Sequence, residues 1–339
     1  MRSLARSVLA LSPVAVLALA LPAIVSAHGV AADPPSGILE ALTAWSFDPL
    51  LQVPLLGILA AYLWAVRRVD AAHPEHPVPR RRVAAFIAGI IVIEIALQSV
   101  VEGYDTTLFS VHMVQHILLT LVAAPLLALG APITLLLRVA PGSVRRRWIL
   151  PVLHSRVVRV ATHPVVAWLV FAGVMWGSHF SPLFDEALEQ PLLHDLEHLL
   201  YLGAALLFWW PAVGVDPAPR RLSHPARLLY VFLQMPQNTF LALIIYWAAT
   251  PLYAHYATLQ LAWVSPLEDQ RLAGALMWVV GDLLFLGAIM AIVLAWMRHE
   301  AADAPRNDAR VAGQRAELEQ RQAVLAERLA AERGSEPRR

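Results

Sequence analysis

The stretch Leu108–Pro132, LFSVHMVQHILLTLVAAPLLALGAP, decides how the rest of the chain is read. It carries about 20 mostly apolar residues, the length a helix needs to cross a bilayer. Yet His112 and His116 sit in its first turns. Residues four apart share one helix face, so both imidazoles point the same way, with Met113 and Gln115 beside them. An ionisable group inside a membrane helix is costly, so a pair of them marks either a function or bonds to neighbouring helices.

Working outward, the 339 residues are 58% hydrophobic and only 15% charged, with a mean hydropathy of +0.58. That composition lies far outside the range of soluble domains and implies a polytopic, all-α integral membrane protein. There is no cysteine, which excludes disulfides and thiolate metal sites. There is no lysine either, so all 26 basic residues are arginine.

Met1–Ala27 begins with Arg2 and Arg6, runs through an apolar core and ends in Val25-Ser26-Ala27, the pattern of a signal sequence. It is expected either to be cleaved, leaving His28 as the amino terminus, or to remain as an anchor. Residues 28–48 form a polar exported segment. Seven apolar stretches follow, at about 49–66, 83–101, 108–129, 164–180, 193–213, 227–249 and 272–297, which makes 49–298 a seven-transmembrane-helix bundle. Pro125, Gly130 and Pro132 predict a kink or a re-entrant end in the third stretch, and Met235-Pro236-Gln237-Asn238 a break in the sixth. Residues 299–339 are charged and alanine-rich and predict a solvated cytoplasmic helix, with a short seven-residue spacing of Val311, Leu318 and Leu325.

Arginine in short loops stays on the cytoplasmic side. The connections holding Arg67–Arg82, Arg138–Arg159 and Arg220–Arg227 alternate with loops around 29–48, 102–107, 181–192 and 250–270 that hold no arginine until Arg271. An external amino terminus and a cytoplasmic carboxyl terminus satisfy every loop. Trp45, Tyr104, Tyr246, Trp247, Tyr253, Tyr256 and Trp263 then predict an aromatic belt on the outer side.

With that topology, seven of the 13 histidines gather at the outer ends of the helices: His28, His112, His116, His179, His194, His198 and His255. The fifth stretch opens with His194-Asp195-Leu196-Glu197-His198, a second pair at i and i+4. Two such pairs can offer four nitrogens to one ion, and imidazole is a common ligand for copper, zinc, iron and nickel. Asp195 and Glu197 are candidates to accept the other ring N–H of a ligating histidine. Met113, Met175, Met277 and His28 are possible auxiliary ligands, and thioethers beside imidazoles favour Cu(I), although methionine also packs. Neither copper oxidation state is selected and zinc stays open. Glu94, Asn238 and Asp282 lie deeper, as relay candidates or interhelical bonds. Transfer of an ion calls for an accessible, under-coordinated site, which the helix ends would supply. The histidines in the arginine-rich loops, His73, His76, His154, His163, His224 and His299, are expected to be solvated.

HMVQHILLTLVAAPLLALGAP, HDLEHLLYLGAALLFWWP, MPQNTFLALIIYWAATPLYAHY and DQRLAGALMWVVGD, in this order between about residues 45 and 298, resemble the CtaG-type cytochrome c oxidase assembly factors associated with caa3 oxidases. The resemblance implies a seven-span protein of a bacterial plasma membrane that is not an enzyme and helps mature a haem-copper oxidase, through copper supply to a catalytic subunit. An oxidase subunit, the lipid bilayer and an extracytoplasmic copper chaperone are the partners it suggests, and nucleic acid is not one. It carries onto His112, His116, His194, His198 and His255, and onto Asp269 and Gln270 at the start of the last motif. Two other classes stay in view. A b-type cytochrome would use histidines as axial haem ligands, normally on opposite membrane sides. A copper permease would need ligands across the full bilayer depth.

Overall fold

The computed structural model describes residues 45–259 and 261–334, whose regular elements are all helices, with no strand among them. The signal sequence, His28 and the exported segment up to residue 44 lie outside the described residues. Six helices are long and apolar enough to cross a membrane, and a bent pair makes a seventh if counted as one span.

The elements that build the site are α1 (Pro49–Ala72), α2 (Arg80–Gln98), α3 (Phe109–Ile117), α4 (Pro164–His179), α5 (Leu183–Glu189), α6 (Pro191–Val213), α7 (Gln234–Trp247) and α8 (Pro266–Gly334). α4 and α5 are the bent pair, with 70° between them. Leu169, Leu199, Phe240 and Leu283 are exposed on the spans, as side chains in contact with lipid would be. Phe171, Ala205, Phe208 and Ile245 close the interior.

The two irregularities follow from proline chemistry. Pro125 has no N–H and its ring displaces the carbonyl four residues back, and the helix after α3 widens into a π-turn over Leu118–Ala123. Trp209 Nε1 of α6 donates to the Thr120 carbonyl in that turn, at 2.8 Å. The helix then ends at Gly130, and Ala131, at φ 53°, is the one non-glycine residue with positive φ among those described. A new helix, Pro132–Val139, starts there, and its first N–H groups at Ile133 and Thr134 donate to Asp216. In the sixth stretch His224–Phe232 stops four residues before Pro236, where the ring would meet the Phe232 carbonyl, and α7 restarts at Gln234.

The aromatic belt is only partly realised. Trp45, Trp247 and Trp263 are exposed, but Tyr104, Tyr253 and Tyr256 are buried and pack inward. Their hydroxyls can find partners inside the protein, as the Tyr256 hydroxyl does on the Asp105 carbonyl. Residues Met290–Arg339 form a separate unit. Its helix is exposed, with Arg321 2.7 Å from Glu317 one turn away and Val311, Leu318 and Leu325 open to solvent.

α7 and α8 approach closely at Gly274, where an added Cβ would lie 2.9 Å from the Ala242 carbonyl and the Tyr246 nitrogen, both backbone atoms. Gly274→Leu is therefore expected to force the helices apart and to lower the melting temperature of the purified protein in detergent. Gly57→Leu, where nothing lies within 4 Å, is expected to leave it unchanged or higher.

Candidate metal centre

Helix periodicity places His112 and His116 on one face of α3, and His194, Glu197 and His198 on one face of α6. The two faces meet. The imidazole centroids of His112 and His116 are 4.2 Å apart, those of His194 and His198 4.3 Å, and across the helices His112 to His194 is 5.4 Å and His116 to His198 6.1 Å. Four rings thus form a closed quadrilateral, each ring 5% exposed or less.

Two carboxylates flank it. Glu197 Oε2 is 4.0 Å from His112 Nε2, and Asp105 Oδ2 is 3.7 Å from His194 Nε2. The result is two sets of potential ligands, His112–His116–Glu197 and Asp105–His194–His198, with the donor atoms of each set all within 4.8 Å of one another. Both ring nitrogens of His112 and of His116 are buried without a hydrogen-bond partner among the described residues, a costly state that a bound cation would relieve. Burial, with the Glu102 carboxylate adding to it, holds the Asp105 carboxyl well above the usual carboxylate range. A cation arriving beside it would favour its carboxylate form.

The surrounding bonds fix orientation. The Gln115 amide donates to the Ala96 carbonyl and to Glu102, so its oxygen faces His198 Nε2 at 2.9 Å. The His198 proton therefore sits on Nε2 and the lone pair on Nδ1. Leu108 offers no side-chain cap to α3, and Asp269 of α8 supplies one, accepting from Phe109 N at 2.6 Å and from Ser110. A carboxylate at a helix amino terminus satisfies the orphan N–H groups and suits the dipole. Asp269 thus positions His112 through the backbone rather than through an imidazole.

The sequence profile of the cytochrome c oxidase caa3 assembly factors, Caa3_CtaG, matches residues 60–299, the region holding every one of these side chains. The chain belongs to that family. Uncharacterized proteins of Mycobacterium bovis and Mycobacterium tuberculosis are each 32% identical to this Caa3_CtaG chain over 282 residues, and one of Mycobacterium leprae is 30% identical over 284. The matches cover 81% of the chain but 42% of each relative, so the chain spans less than half the length of the curated relatives it matches. No solved structure matches it significantly.

Within the Caa3_CtaG bundle the other sequence candidates separate. His179 borders the ring, its centroid 6.4 Å from that of His116, with Nδ1 donating to the Met175 carbonyl at 2.7 Å. His255 belongs to neither ligand set, because its Nε2 donates to the Thr106 carbonyl at 2.8 Å and helps hold the turn that carries Asp105. Asp195 is exposed and one residue off the shared face. Glu197, read from sequence as a support, lies with His112 and His116 in one of the two sets that could hold an ion. Gln270 bonds Leu252 N and the Ile245 carbonyl, which fixes the 248–253 connection. Glu94 accepts from Gln52 at 2.7 Å, and Asn238 and Thr239 bond Asp282, so these deeper residues join helices. Asp105 was missed because its loop shows no periodicity. The signal available was an acid four residues before the helix that carries His112 and His116.

The site is also closed, against the expectation of an accessible one. Phe109, Phe184, Tyr253 and Tyr256 pack into an aromatic plug, with Phe184 5.1 Å from His112 and 4.3 Å from Tyr253. Removing the carboxylate that orients α3 should be felt directly. Asp269→Ala is expected to destabilise the protein by about 1–2 kcal/mol, read as a lower melting temperature in detergent. Asp269→Asn, which can still accept from Phe109 N, is expected to lose less.

Proposed function

We propose that this chain is a non-enzymatic assembly factor that holds copper in the His112–His116–His194–His198 ring, with Glu197 and Asp105, and passes it to a haem-copper oxidase subunit. The observation that carries the proposal is the closed quadrilateral of buried imidazoles, of which His112 and His116 have no hydrogen-bond partner among the described residues. Family membership supplies the oxidase.

On this reading the ring lies at the outer end of the bundle in a bacterial plasma membrane, with the arginine-bearing connections in the cytoplasm. An extracytoplasmic chaperone would deliver the ion, and ligand exchange would move it on. Copper bound by imidazole and carboxylate is the cargo, and this chain supplies orientation and exclusion of water. His179 would join as an extra ligand only if its ring approached further.

A two-histidine, one-carboxylate set also suits zinc, which is the competing cargo. Haem is disfavoured by the contact among the rings, because a macrocycle placed between any two would collide with the other two. A permease is disfavoured by Glu94, Asn238 and Asp282, which are engaged in interhelical bonds.

Metal analysis of the purified full chain after copper loading is expected to show bound copper, and the double variant His112→Ala/His198→Ala is expected to lose it at unchanged helical content. Copper retained in full would overturn the ligand assignment. Zinc bound in preference to copper would overturn the cargo. In a strain lacking this protein, the wild-type chain is expected to restore cytochrome c oxidase activity and the double variant is not.

A further inference from the structure

One to two turns further along the third span from the imidazole ring lies a cavity of about 20 Å³, lined among others by Met113, His116, Met175, Met277, Gln234 and Gln237. It has room for about one water-sized body. The three methionines come from α3, α4 and α8 and are each 9% exposed or less, whereas Met290 and Met297, on the same α8, are open to the surroundings. Methionine is the flexible side chain that fills irregular gaps. Here three of them surround a gap and leave it open.

The lining is not that of a dry apolar void. Gln234 Oε1 and Gln237 Nε2 have no hydrogen-bond partner among the described residues, and Gln234 is 2% exposed. His116, whose two ring nitrogens are likewise unpartnered, stands between this cavity and the ring above. No carboxylate lines the cavity. A divalent cation would therefore find no charge to offset its desolvation there, while a monovalent soft cation would find thioether sulfur and imidazole.

We propose that this chamber is a second metal site, selective for Cu(I), with Met113, Met175 and Met277 as thioether ligands and His116 shared with the ring as a bridging imidazolate, its ring N–H proton being released to bulk water when the second ion binds. The proposal rests on the copper reading of the ring but calls for a different donor set and a single oxidation state. Gln234 and Gln237 line the same chamber, and the unpartnered Gln234 Oε1 and Gln237 Nε2 would meet polar groups bound beside the ion.

The test uses the full chain, unmutated, with methionine sulfur replaced by selenium, loaded with Cu(I) under reducing conditions in detergent. X-ray absorption at the copper edge is expected to show selenium in the first shell beside nitrogen. The isosteric triple variant Met113→Leu/Met175→Leu/Met277→Leu, which keeps core volume, is expected to bind one equivalent of Cu(I) less and to take up Zn(II) as the parent does. His112→Ala/His194→Ala, which does not touch the chamber, is expected to keep its selenium-coordinated copper. Absence of selenium neighbours in the loaded unmutated chain, the result if the chamber holds water only, overturns the proposal whatever the variants do. Selenium-coordinated copper at the same stoichiometry in the parent and in His112→Ala/His194→Ala, with no further equivalent bound by the ring, overturns the ring reading and leaves the chamber standing.

Discussion

Asp269 of α8 holds the first turn of α3, and the position of His112 and His116 depends on that bond. Without a cap of its own, α3 would start with unsatisfied N–H groups close to an apolar phase, where each such group is expensive. The carboxylate removes that cost and ties two helices 160 residues apart in sequence. It also fixes where the helix starts, and hence which residues of α3 face α6. His112 and His116 then meet His194 and His198 because each pair is spaced by about one turn.

The two proline-driven irregularities serve the same geometry from the other side. Widening the helix at Leu118–Ala123 shifts the register of everything beyond His116, and the Thr120 carbonyl takes its partner from Trp209 on α6. α3 and α6 are thus joined below the ring by this bond and within it by Gln115 and His198. The carboxylates arrive differently. Glu197 is part of the α6 face, while Asp105 is brought in by a turn that His255 and Tyr256 hold from the opposite connection.

Much of this was legible in the sequence, for identifiable reasons. Apolar length reports spans directly: the fourth stretch, read at 164–180, is α4, while α5 lies in what reads as the loop 181–192 and joins the span only as the second half of a pair bent by 70°. The histidine pairs were legible because spacing of four is a property of one helix. The same rule separates Glu197, three residues from His194, from Asp195, which points away. What stayed hidden depends on tertiary contact: Asp105 sits in a loop without periodicity, and the convergence of Met113, Met175 and Met277 on one cavity joins three spans. Tyr253 and Tyr256 misled because a tyrosine near a helix end has the same composition signal whether it faces lipid or packs inward.

The aromatic plug adds a kinetic dimension to a centre otherwise described by its ligands. Phe109 packs against Phe184, Tyr253 and Tyr256, and Phe184 lies against His112, so an ion held by the imidazoles as proposed would be shielded until those rings part. On that proposal α5 and the 248–258 connection would govern how fast an ion leaves, and the nitrogens and oxygens beneath how tightly it is held. The two quantities would be set by different residues, so a docking protein that displaced α5 could hasten release without weakening a single coordinate bond.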